Sequence, residues 1–182
     1  MKKFLALVTL VCMVLTATAA FAFPSKTADD LILIDVGPTL DGTPIEADFA
    51  IFVTEPTEAI EEEIKAMAKH AETQPIATYY DEETQKALAE LIANPEELVA
   101  YELAAVACDN YKDEYGSVFA KFTFATPFAE GADVYVALQT EGWAVQKCVV
   151  ENGKVEVLFA QAELQYMDNT PALMVVMSTP IE

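Results

Sequence analysis

The sequence predicts an α+β fold, in which an N-terminal strand hairpin and two helices pack on a C-terminal antiparallel β-sandwich of immunoglobulin-like architecture. Three observations predict it. Apolar residues recur at helical spacing between residues 58 and 92. From Ser117 onward they alternate with the period of two that a half-buried strand shows. Turn dipeptides separate the alternating runs, and Asn152-Gly153 is the strongest of them, because a type I′ hairpin turn needs positive φ at both positions.

The chain divides into residues 1–22, 23–97 and 98–182. The first segment reads as a signal peptide: Lys2 and Lys3 precede the apolar run from Phe4 to Val14, and Ala20-Phe21-Ala22 offers a small-x-small cleavage site. Acylation at Cys12 is disfavoured, since Val11 stands where a small residue is wanted. Cleavage leaves roughly 160 residues, enough for one ordinary domain or two small units sharing a core.

In the second segment, Leu31 to Val36 is short and rich in branched residues, which suits a strand. Gly37-Pro38 and Asp41-Gly42 mark turns, and Ile45 to Thr54 forms a second strand able to pair with the first. Thr54 or Thr57 then caps a helix with Ile60, Ile64, Met67, Ala68 and Ala71 on one stripe, ending before Pro75. Asp81 caps a second helix that points Leu88, Leu91 and Ile92 inward and ends by Asn94-Pro95.

The run from Leu98 to Cys108 is open to two readings. Its alanines favour helix, whereas the β-patterned tail needs a strand partner. A turn over 95–98 followed by a strand is preferred, with Glu102 exposed and Tyr101, Leu103 and Val106 buried. Val118, Ala120, Phe122 and Phe124 share one face of the next strand, and Asp133 to Gln139 and Trp143 to Val150 follow as strands. Val155, Val157 and Phe159 continue the chain beyond the Asn152-Gly153 turn, and Gln161 to Met167 is a turn of helix or a loop. Leu173 to Met177 is apolar on both faces, so it belongs at the centre of the sheet.

The segment from Gly116 to Thr179 carries Phe122-Thr-Phe124, Pro127, Gly131, Val134-Tyr-Val136, Trp143, Asn-Gly-Lys-Val-Glu-Val and Ala172-Leu-Met-Val-Val. It resembles the C-terminal β-sandwich module of small exported proteins from anaerobic Gram-positive bacteria. The resemblance implies fold and export. It covers packing and turn residues, so it transfers no catalytic residue.

Thirty acidic residues against ten basic ones give a formal charge of −20, and signal removal makes the mature chain more acidic still. No arginine occurs, so the bidentate grip on phosphate is missing. The charge balance therefore excludes nucleic acid, and it excludes anionic membrane surfaces after cleavage. A hydrophobic content of 53% still supports a folded core.

Chemistry-bearing residues are sparse. Cys108 and Cys148 are a candidate disulfide in an exported chain, although both lie in apolar runs where a free thiol packs as a small hydrophobe. Asp109, Asp113 and Glu114 are candidate calcium ligands, in a loop whose spacing departs from an EF-hand. Tyr111, Tyr115 and Trp143 are candidates for stacking on a sugar. His70 lies on the charged side of the first helix, and no Gly-x-Ser-x-Gly motif occurs. No catalytic residue and no cofactor is expected. The sequence points to a secreted or cell-surface, non-enzymatic module for an unknown protein or surface polymer. The alternatives are a carbohydrate- or wall-polymer-binding module and an extracellular hydrolase using paired carboxylates.

Overall fold

A computed structural model describes residues 33–180. The expected signal peptide, with Cys12, lies outside the described residues. The described strands are β1 (Leu33–Thr39), β2 (Ala50–Thr54), β3 (Val99–Asp109), β4 (Val118–Thr123), β5 (Val134–Gln139), β6 (Trp143–Glu151), β7 (Lys154–Phe159) and β8 (Ala172–Ser178). The α-helices are α1 (Glu58–Ala71), α2 (Glu82–Leu91) and α3 (Gln161–Met167). Short 3-10 turns lie at Ile76–Tyr79, Pro95–Glu97 and Asp113–Tyr115.

The eight strands form one antiparallel order, β1-β4-β7-β6-β5-β8-β3-β2, and the sheet is barrel-like. Its inner face collects alternate residues from successive strands, among them Val106, Ala120, Val136, Val150, Val157 and Met174, and α3 adds Leu164 and Met167. The outer face of β3, β5 and β8 carries a second core, which Ile60, Met67, Tyr80 and Leu88 of the helical segment cover. β8 lies between β5 and β3, and all seven of its residues are buried, as the doubly apolar run requires.

Local chemistry sets the helix starts. The Thr57 hydroxyl accepts from Ile60 N–H, and the Asp81 carboxylate accepts from Thr84 N–H at 2.8 Å. At the β6–β7 hairpin, Asn152 and Gly153 take φ of 53° and 72°, the positive pair that a type I′ turn demands.

Two expectations change. β1 and β2 do not form a hairpin: β1 pairs with β4, from Leu33↔Thr123 to Thr39↔Val118, and β2 pairs with β3, from Ala50↔Asp109 to Thr54↔Ala105. The connection between them is too long for a tight turn and has its own ties. Asp41 accepts from Thr43 N–H and the Thr39 hydroxyl, Glu46 N–H donates to the Tyr115 hydroxyl, and Phe49 N–H donates to Glu46 C=O. These ties also delay the second strand to Ala50. The N-terminal strands therefore extend the C-terminal ladder at both of its ends.

The second change concerns Glu102, which is 2% exposed. Glu102 lies on the inner face with Ala104, Val106 and Cys108, in a strand covered on both sides, and the β3–β8 bulge between Ala100 and Glu102 turns Ala100 to the outer face instead. The Glu102 carboxylate accepts from Thr126 N–H at 3.1 Å and from the Thr126 hydroxyl at 2.8 Å. Burial is sustained because the acid is hydrogen-bonded. Of the two readings for residues 161–167, helix or loop, the structure has the helix, whose first turn is closed by Ala160 N–H donating to Glu163.

Candidate functional site

The acidic loop after β3 acts as a strap. Asn110, at φ 60°, donates from its amide to Asp48 C=O. Tyr111 N–H donates to Asp168, and the Asp113 carboxylate accepts from Gln165 Nε2 at 2.8 Å. Asp109 closes β3, while Asp113 and Glu114 sit on the following 3-10 turn. The calcium candidates Asp109, Asp113 and Glu114 are thus not gathered. Among the described residues, no group of three or more His, Cys, Asp or Glu side chains is arranged to hold a metal.

The stacking candidates fall into two separate places. Tyr115 is 1% exposed, with its ring 5.6 Å from Phe49 and 6.1 Å from Tyr111, and both its ring and hydroxyl serve the inner core. The Tyr111 hydroxyl donates to Gly116 C=O at 2.8 Å, and burial pushes its pKa up. Trp143 is half-buried on the outer face, edge-on to Tyr80 at 4.9 Å. Burial of Tyr115 and the Tyr80 contact of Trp143 make these rings packing elements, and they form no common platform.

The candidate disulfide is not formed. Cys108 and Cys148 are buried free thiols, on strands β3 and β6, with β5 and β8 between them in the order. The Cys108 thiol donates to Leu164 C=O at 3.3 Å. Burial pushes both thiols up to about 12, so both stay protonated and unreactive at neutral pH. His70 meets the Thr78 hydroxyl through Nε2 at 2.8 Å and lies edge-on to Tyr79. Tyr79 in turn donates to Glu63, and burial together with that acid raises its hydroxyl to about 12.

Two surface depressions have the shape of binding sites. The first is a groove of about 380 Å³, lined by Ala71, Gln74, Pro75, Ile76, Leu98–Ala100 and Pro180, with Glu96 and Glu97 at its rim. Its wall is mainly apolar. The end of α1, the Pro75 turn and the first residues of β3 build it, and the Glu97 carboxylate is held by Asn94 Nδ2 at 3.1 Å. The second is a polar trough of about 410 Å³ lined by Thr140, Glu141, Ala162, Gln165 and Tyr166. A neighbouring hollow of about 270 Å³ shares Thr140 and Tyr166 and reaches Glu63 and Gln139.

Sequence reasoning did not find either depression. The groove is lined mainly by Ala, Pro, Ile, Leu and Val, whose spacing signals packing, and Tyr166 lies in a stretch whose pattern suits helix and loop alike. No described helix is long and apolar enough to cross a membrane. The chain matches no family model, no curated protein and no solved structure.

Proposed function

We propose that the protein is an exported, acidic, non-enzymatic module that contacts another protein or a surface polymer outside the cell. The observation that carries this reading is the apolar groove beside Glu96 and Glu97. Apolar patches rimmed by polar residues mark interaction sites on soluble proteins. The charge of −20 supports a cationic partner, and export agrees with the signal-like first 22 residues. Kinship with small exported proteins of anaerobic Gram-positive bacteria belongs to the same proposal. An immunoglobulin-like layering is its finer structural form. In its favour, β3, β4, β7 and β8 all contribute side chains to one shared inner core.

A second reading, carbohydrate binding, is favoured by the trough at Tyr166, where an aromatic ring stands among Gln165, Thr140 and Glu141. The hydrolase alternative would need two carboxylates facing each other across a cleft.

The test is retention of labelled mature protein on intact cells of the producing organism. Saturable retention that weakens with salt and disappears after surface proteolysis supports a protein partner. Retention that survives proteolysis and is competed by soluble wall polysaccharide supports the second reading. No retention overturns both.

A further inference from the structure

We infer that the groove at the end of α1 takes a basic, apolar-containing segment of a partner protein, with an apolar side chain in the groove and a lysine or arginine against Glu96 and Glu97. The inference rests on the interaction reading and gives it a location and a partner chemistry.

Three observations support this occupant. The groove, at about 380 Å³, lies at the small end of the roughly 300–1,000 Å³ range typical of binding pockets, so it suits one or two side chains of a peptide. Its charged lining is acidic: Glu96 and Glu97 are both exposed, and among the described residues no lysine lines it. The groove also opens beside Val99 and Ala100, which precede the β2–β3 ladder, since that ladder begins at Ala105. β2 leaves that stretch of β3 unpaired, and a strand edge of this kind is where an extended segment would add.

At long range the surroundings favour a cation over an anion, while the last turn of α1, nearest the groove, carries Lys69 and His70. The flanking helical segment carries Glu58, Glu61, Glu62, Glu63, Glu72, Glu82, Glu83 and Glu90, against Lys65, Lys69 and Lys86. Lys65 is already paired with Glu61 at 3.3 Å. A basic segment approaching this face is steered toward it at low salt, and the apolar groove then sets its position.

Fluorescence anisotropy on the mature chain tests this with a labelled peptide of alternating leucine and lysine. Two controls replace leucine by serine, or lysine by glutamate. The leucine–lysine peptide is expected to bind at least tenfold more tightly than either control. Ala71→Gln, which places an amide in the groove, should weaken it about tenfold. Glu96→Gln with Glu97→Gln should weaken it and flatten its salt dependence. Circular dichroism melts confirm that each variant is folded.

Equal binding of the serine–lysine peptide would overturn the groove as the determinant. So would binding unaffected by the variants, or a dimer in sedimentation that Ala71→Gln dissociates, since a second copy would then be the occupant. Those outcomes leave cell retention intact, so they are distinguishable from failure of the interaction reading itself.

Discussion

The side-chain amide of Gln146 hydrogen-bonds both backbone groups of Leu158, donating from Nε2 to the carbonyl at 2.8 Å and accepting from the N–H at 3.0 Å. The β6–β7 ladder spans only Val149↔Glu156 to Glu151↔Lys154, while the first part of β6 pairs with β5. Where β6 leaves β7, Gln146 therefore supplies the donor and acceptor that a neighbouring strand would have offered. The sheet bends there without stranding Leu158.

Gln146→Val is therefore expected to destabilise the fold by about 1–3 kcal/mol, because two backbone groups lose their partners in a half-buried place. Urea unfolding of the two proteins measures this. An unchanged midpoint would mean that water replaces the amide at no cost.

Glu102 invites a paired test. Glu102→Ala removes the acceptor for both Thr126 groups and opens a buried space, so a loss of about 2–4 kcal/mol is expected. Glu102→Gln keeps one acceptor oxygen and should cost less. If the two variants are equally unstable, the charge itself, and not the acceptor, matters.

Cys108 and Cys148 should resist modification. With both thiols raised by burial to about 12, Ellman's reagent at pH 8 is expected to react slowly with the folded protein and with both thiols at once in guanidinium. A raised thiol value means that stability from the protonated form is complete below the unfolded value, about 8.5, and is lost as pH rises through the folded one. Alkaline unfolding above about pH 9 should therefore weaken in a Cys108→Ala, Cys148→Ala variant.

Salt and mild acid should both raise the melting temperature. A formal charge of −20 repels itself, and either screening or protonation relieves that repulsion. Burial raises the Glu163 carboxyl, with Ala160 N–H opposing, so its contribution is full at low pH and is lost as pH rises through the folded value. Asp41 and Asp81 act in the opposite sense. Hydrogen bonds from Thr43 and Thr84 lower them from the usual 3.8, so their stabilisation is lost as pH falls through the lowered values. The melting temperature is thus expected to peak near about pH 5 and to fall below about pH 4. A monotonic fall from pH 7 downward would contradict this.

Much of the fold was legible because it depends on neighbours in sequence. Thr57 and Asp81 cap helices that their own first turns define, and Asn152-Gly153 states its turn type through positive φ alone. The β1 and β2 partners were not legible, since Ile34↔Phe122 and Ile51↔Cys108 are distant in sequence and any apolar strand satisfies the same period. Glu102 misled because a charged residue in a strand is expected to face solvent, whereas β3 is covered on both faces and Glu102 shares the inner one with Ala104, Val106 and Cys108. The groove at Ala71 and Val99 was hidden for a related reason: small apolar residues look alike whether they close a core or floor an opening.

The strand order has a kinetic meaning. β5, β6 and β7 meet through short connections, whereas β1–β4, β2–β3 and β3–β8 pair only across long stretches of chain. Loop closure disfavours such distant pairings early in folding. Among the described strands β1, β2 and β3 are thus disfavoured early, and until β1 and β3 dock the growing ladder presents β4 and β8 as bare templates. A chain folding among other copies passes through that aggregation-prone interval, and its many like charges help to keep neighbouring copies apart while it lasts.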